Sequence, residues 1–147
     1  PLTDSSAASD VYKRQIKHAH HEFEADTAGK DSWRHRKAGA RQVLVSSAIR
    51  SAHFVEHETT EPELAQLLNR LLPCDLVLIE GFKREAVPKM EIFRAEVGKP
   101  YLHTEDDQII AVASDIAVTN CTLPVLDLND IPTIADFVLQ AVGLSSR

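Results

Sequence analysis

The run Asp75-Leu76-Val77-Leu78-Ile79-Glu80-Gly81 concentrates more chemical potential than any other in the chain. Its near-continuous apolar residues predict a strand buried on both faces of a parallel sheet. Glu80 leaves the carboxyl end of that strand, where the ligands of α/β sheets collect. A carboxylate in that place holds Mg2+ directly or through water, and Mg2+ in turn holds phosphate. Gly81 lets the backbone turn sharply. This is the layout of a Walker B segment. The plainer alternative is a strand followed by a turn, and the run by itself leaves both open.

Three other strings carry candidate chemistry. Gly29-Lys30-Asp31-Ser32 invites a phosphate-loop reading, but GxxxxGK[ST] needs Gly where Glu24 stands and Ser or Thr where Asp31 stands. No other glycine pair fits, so this sequence contains no Walker A string. In His18-Ala19-His20-His21, an extended backbone turns His18 and His20 to one face, and Glu22 or Asp26 stands close enough in sequence to join them on zinc or nickel. A polar patch that contacts phosphate or carboxylate is the favoured alternative. Ala111-Val112-Ala113-Ser114-Asp115 ends a second apolar run in an acid. Asp115 there can accept hydrogen bonds from guanine N1–H and N2–H, or can simply cap a turn. No nucleophile elbow and no Cys–His pairing is visible.

The elements that position these groups follow from periodicity and end signals. Ile16–His20 alternates as a short strand. Asp31–Ala40 predicts a helix capped by Asp31, with Arg34, Lys37 and Arg41 along one face. Gln42–Ser46 and Ala52–Glu56 predict strands. Thr60-Glu61-Pro62-Glu63 reads as a capping box, and Leu64, Leu67, Leu68 and Leu71 follow at helical spacing until Pro73. Lys89–Arg94 alternates as an edge strand, and Ile109–Ala113 and Pro124–Leu126 read as buried strands. Asp130 then caps a last helix with Pro132 in its first turn and Ile134, Phe137, Val138 and Val142 on its apolar side. Strand and helix alternation predicts one three-layer α/β domain over residues 16–147 with a mostly parallel sheet. Residues 1–15 are Ser/Ala/Asp-rich at their start and are expected to be a disordered leader foreign to the domain.

Composition agrees with a single globular domain. Of 147 residues, 44% are hydrophobic and 26% charged, which excludes a disordered chain. No apolar run reaches the ~18–20 residues that span a bilayer. A secretory pattern is lacking at the start, and two distant cysteines make no disulfide framework, so the expectation is cytoplasmic. A net charge of −6 argues against a general nucleic-acid binder. The charge is uneven, however. Residues 13–50 hold nine Lys/Arg against four Asp/Glu, and residues 51–147 hold seven against sixteen. A cationic region on an acidic body suits a small anionic ligand, although a solvated basic helix face accounts for it equally well.

In order, the strings IKHAHH from Ile16, AGKDSWRHR from Ala28, DLVLIEGFK from Asp75, Pro88-Lys89 and IAVASD from Ile110 resemble the MobB family of molybdopterin-guanine dinucleotide biosynthesis adapters. The resemblance runs from about Ile16 to Val142. It implies a P-loop NTPase-like fold and binding of GTP with Mg2+, with at most weak GTPase activity. It implies work beside the guanylyltransferase that joins GMP to molybdopterin, in the cytoplasm, as a homodimer, without nucleic acid or membrane. By position, Glu80 matches the family's Walker B acid, and Glu80 together with Asp75, at the start of the strand, form the expected metal residues. Lys17, His18, Lys30, Asp31, Ser32 and Arg34 match its phosphate-binding polar cluster, and Asp115 matches the base-reading segment more loosely. The family's first strand, GxxxxGKT loop and helix have no counterpart here, so the expected fold is N-terminally truncated. Two rivals are a non-hydrolytic module that docks the guanylyltransferase and the anionic pterin, and a small P-loop kinase, for which no arginine lid is found.

Overall fold

The computed structural model describes residues 11–19, 23–58 and 60–145. In chain order they form β1 (Lys13–Lys17), α1 (Asp31–Lys37), β2 (Gln42–Ser46), β3 (Ser51–Val55), α2 (Leu64–Leu68), β4 (Leu76–Glu80), β5 (Lys89–Phe93), β6 (Ile109–Ser114), β7 (Val125–Asp127) and α3 (Ile131–Ala141). The chain divides into two compact units. One holds residues up to 14, 74–78 and everything after 82, and the other holds Gln15–Pro73 and Ile79–Phe82. β1 and β4 pair with each other and contribute to both.

The register of β1 on β4 is fixed at its two ends. The Tyr12 N–H donates to Asp75 Oδ2 at 2.9 Å, and Tyr12 O accepts from the Asp75 and Leu76 N–H groups at 2.9 and 3.2 Å. At the far end the His18 N–H donates to Glu80 O at 2.8 Å. Both strands advance together, so the pair is parallel. Those bonds also place β1 three residues before the expected Ile16–His20 strand. The expected disordered leader therefore does not reach Gln15, because residues 13–15 lie in β1. Residues 1–10 lie outside the described residues, as do His20, His21 and Glu22. Burial on both faces of β4 is not found: Leu76 is buried, whereas Leu78 is exposed.

The first unit is built on a three-stranded sheet in the order β5-β6-β7, with both pairings parallel. Central β6 is enclosed, and Ala111, Val112 and Ala113 show no exposure. An Ala-Val-Ala centre suits this place: small side chains let layers approach, and β-branched Val fits the pleat. β5 is the edge strand of its sheet, as its alternation predicts. β7 is short and leaves Val125 exposed, so the expected buried PVL strand is corrected. α3 starts as its sequence dictates. Asp130 Oδ1 accepts from the Thr133 N–H, Oδ2 accepts from the Thr133 hydroxyl at 2.7 Å, and Pro132 sits in the first turn. The helix ends at Ala141, so Val142 falls beyond it and Leu139 takes the buried position instead.

The second unit contains the antiparallel hairpin β2–β3, in register from Gln42↔Val55 to Ser46↔Ser51. Ser47 closes its turn, accepting the Arg50 N–H on Oγ at 3.1 Å. α1 is shorter than expected and carries no side-chain cap. Lys30 occupies the cap position and Asp31 is the first helical residue. The helix stops because Gly39 takes φ +100° and the Ala40 N–H reaches back to His35 O, the usual glycine ending. α2 starts one turn later than predicted. Pro62 leads into an extended Glu63, which caps the helix, and the reciprocal box is Glu63 with Gln66. No helix among the described residues is long and apolar enough to cross a membrane.

Candidate functional site

Parallel pairing of β1 with β4 brings their carboxyl ends side by side, and two of the expected site residues meet there. Lys17 Nζ lies 2.9 Å from Glu80 Oε1, with both side chains more than half exposed. The next residues are packed more tightly. His18 Nε2 lies 2.7 Å from Glu61 Oε1, and the His18 ring is tilted against Phe82 at 4.9 Å between centroids. Gly81 has φ +89°, and a Cβ there would stand 2.7 Å from His18 Cβ. Only glycine serves at this position, because both the backbone conformation and the space exclude a side chain. Phe82 follows at φ +49°, a left-handed conformation that is uncommon for an aromatic residue. The strand end is thus a constrained turn that presents an acid and a lysine to solvent.

Glu80 fits a Mg2+ ion carried in by phosphate. Such an ion needs one or two carboxylates and takes its remaining ligands from phosphate and water. Among the described residues there is no group of three acids, histidines or cysteines that would hold a metal without such help. Asp75 is not placed to join Glu80 on one ion. It stands at the opposite end of β4, roughly 16 Å away at ~3.3 Å per residue, and its carboxylate accepts the Tyr12 N–H. The pairing of Asp75 with Glu80 on one metal is therefore corrected.

The expected cluster around residue 30 is organised differently. Ser32 Oγ donates to Asp26 Oδ1 at 3.1 Å, and the same oxygen accepts the Thr27 N–H at 2.8 Å. Arg36 is the hub. Its guanidinium pairs with Glu24, with Glu56 at 3.0 Å and with Asp26 at 3.7 Å, and it lies over the Phe54 ring at 4.9 Å. It is only 12% exposed. The hydrogen bond from the Asp26 N–H, with help from Arg36, holds the Glu24 carboxyl below its usual range against the opposing effect of burial. Burial also opposes the charge on Arg36, but Glu24 and Glu56 outweigh it and raise the guanidinium above its usual value. Lys30, Asp31 and Arg34 are exposed, and no hydrogen bond or ion pair among the described residues joins their side chains to Lys17 or Glu80. Asp115 Oδ1 accepts the Ala95 N–H at 3.0 Å, so the carboxylate braces a backbone turn.

Glu24, Glu61 and Arg36 were not singled out by the sequence reading. Glu61 and Arg36 act through partners distant in sequence, such as Arg36 with Glu56, while Glu24 joins the nearby Asp26 N–H to the more distant Arg36, and no local spacing announces the long-range pairs.

Comparison with known proteins decides the family. The family model described as "Molybdopterin guanine dinucleotide synthesis protein B" matches residues 6–115. The chain belongs to the MobB family. A protein of Haemophilus influenzae (strain Rd) named molybdopterin-guanine dinucleotide biosynthesis adapter protein is 43% identical over 127 residues, covering 84% of this chain and 68% of that one. The protein of the same name from Escherichia coli K12 is 42% identical over 129 residues, covering 85% and 73%. The crystal structure of Bacillus subtilis MobB superposes with a TM-score of 0.66 at 28% identity, over 88% of this chain and 79% of that one. A MobB homologue from Bacillus stearothermophilus gives 0.62 at 19% identity, over 90% and 79%, and that likeness concerns the fold alone. The fold is thus the α/β, P-loop NTPase-like fold of MobB structures, with parallel pairing in β1–β4 and β5-β6-β7.

Proposed function

We propose that this MobB-family chain binds GTP through Mg2+ at the carboxyl ends of β1 and β4, as an adapter for the guanylyltransferase that attaches GMP to molybdopterin. The observation that carries this reading is the placement of Lys17 beside Glu80, 2.9 Å apart at neighbouring strand ends. A cation for phosphate and a carboxylate for the metal are the two charges that a Mg2+–phosphate group needs. The sequence has no GxxxxGK[ST] loop, so phosphate contacts in this chain come from side chains such as Lys17, Lys30 and Arg34. Exposed cations contribute ~1 kcal/mol or less each. Binding through these side chains alone is accordingly weak. The homodimer, the cytoplasmic setting and contact with molybdopterin itself belong to the same proposal and are supported by family membership.

Titration with Mg·GTP, followed by calorimetry and by NMR shifts, tests it. The expected result is weak binding that needs Mg2+ and moves the signals of residues 17, 18 and 80–82. Glu80→Gln should remove the Mg2+ dependence while leaving the folded spectrum intact. Equal binding with and without Mg2+ would show that Glu80 has no metal role. A second reading is a docking module without nucleotide, and capture of the guanylyltransferase by a chain indifferent to GTP would establish it.

A further inference from the structure

Among the described residues, two buried side-chain polar atoms lack a hydrogen-bond partner, Asp26 Oδ2 and Arg36 Nε. They face each other at 3.7 Å. Buried polar groups are otherwise almost always satisfied, so two orphans turned toward one another mark an unfinished pairing. Arg36 faces three carboxylates, and the two that it hydrogen-bonds are the more exposed ones. Glu24 and Glu56 are 40% and 52% exposed, whereas Asp26 is 10% exposed. The deepest acid is thus the one that the guanidinium does not hold, although a buried charge is the costliest to leave uncompensated.

Asp26 is kept back by its other oxygen. Oδ1 accepts the Thr27 N–H at 2.8 Å and the Ser32 hydroxyl at 3.1 Å, which fills both of its lone pairs. The guanidinium is fixed from two sides. It lies over the Phe54 ring at 4.9 Å, and it donates to Glu56, the residue that follows β3, at 3.0 Å. Arginine commonly meets a carboxylate through two parallel N–H···O bonds. The Nε edge of Arg36 offers that seat, and Asp26 stops short of a normal ~2.9 Å bond there by less than ~1 Å. Release of the Ser32 hydroxyl frees a lone pair on Oδ1. The carboxylate can then turn so that Oδ2 meets Nε and Oδ1 meets the second N–H of the nitrogen that Glu24 shares. We infer that Asp26 and Arg36 form a latch, held half-closed by the Ser32 hydroxyl, which closes when that hydroxyl turns to a ligand. Closure draws the 24–27 loop onto the guanidinium that already holds the hairpin through Glu56. Asp26 and Arg36 are positioning residues, since neither touches the ligand and both set where the loop carries Lys30. The trigger rests on the phosphate reading of Ser32, whereas the latch rests only on the geometry of these three side chains.

The 15Nε–H NMR signal of Arg36 reads the latch. In the ligand-free chain, Ser32→Ala should shift that signal downfield and slow its hydrogen exchange about tenfold or more, because a bond to carboxylate forms where there was none. Ser32→Thr keeps the hydroxyl and should leave the signal as in the unaltered chain. Asp26→Asn added to Ser32→Ala should remove most of the change, since a neutral amide is the weaker acceptor. If Ser32→Ala disturbs folding, Ser32→Cys, of similar size and a weak donor, takes its place. A signal that neither variant moves would overturn the latch, whatever the chain binds. The same change in Ser32→Thr would overturn the part given to the hydroxyl. Saturating Mg·GTP should move the signal of the unaltered chain in the direction of Ser32→Ala. Shifts at residues 17 and 80–82 with Arg36 unmoved would overturn the trigger. No response anywhere to Mg·GTP would overturn the nucleotide reading and the trigger with it, while Ser32→Ala would still decide the latch.

Discussion

Gly81 is where residue-scale physics is sharpest. A Cβ there meets His18 Cβ at 2.7 Å and must also accept φ +89°. Gly81→Ala should therefore cost about 2 kcal/mol or more, above the ~1 kcal/mol of a left-handed alanine alone. Urea unfolding of the variant measures this, and an unchanged midpoint would mean that the turn relaxes freely. Glu80 stood out in the sequence because an acid that ends an apolar run is a local pattern, whereas Lys17 was reached only through the family resemblance, and the structure sets the two side by side. Glu61 on His18 was not legible, since 43 residues separate two groups that meet only after the fold closes. Asp75 was misjudged for the opposite reason. It stands near Glu80 in sequence, but a strand carries its two ends apart.

At the scale of elements, β5 shows why alternation can mislead. Lys89, Glu91 and Phe93 share one face, and that face is covered by the 101–106 segment, so Glu91 is buried and Ile92 is 58% exposed. Polar and apolar places are exchanged because the covering segment offers unpaired backbone N–H groups, which need a carboxylate rather than an isoleucine. Glu91→Ala should cost about 3 kcal/mol, because it strands the Leu102 and His103 donors. Hydrogen exchange at those two amides should accelerate well before global unfolding, and protection left intact would refute the clasp. Strand existence and type were readable from apolar runs. Boundaries slipped wherever a cap or partner decided them, as at Glu63 for α2 and Tyr12 for β1.

For the whole molecule, stability is unevenly distributed. Val112 in β6 is fully enclosed, whereas the hairpin strand β2 leaves Leu44 at 68% exposure. Amides of β6 should be the slowest to exchange, and Val112→Ala should cost about 2 kcal/mol. Acid should weaken both units. Glu24 is held low by the Asp26 N–H and Arg36, Asp106 by Lys89 and the Gln108 N–H, and Asp130 by Thr133. Each contribution is complete above the ordinary carboxylate values of 4.5 and 3.8 and disappears as pH falls through the lowered folded values. The urea midpoint should therefore hold between pH 7 and 5 and fall below pH 4.

The exposed Lys17–Glu80 pair also has an ionic consequence. Before any ligand arrives, each of these groups is the counterion of the other. On the proposed reading, binding a metal phosphate is a partner exchange at this pair, with lysine passing to phosphate and glutamate to metal, so the pair itself releases few small ions to the solvent. The net charge of −6 meanwhile repels an anionic nucleotide at long range. Added salt screens that repulsion within about 10 Å at 0.1 M. Salt should, on the proposed reading, weaken binding less than the number of phosphate-contacting cations implies, with the remaining dependence carried by Lys30 and Arg34.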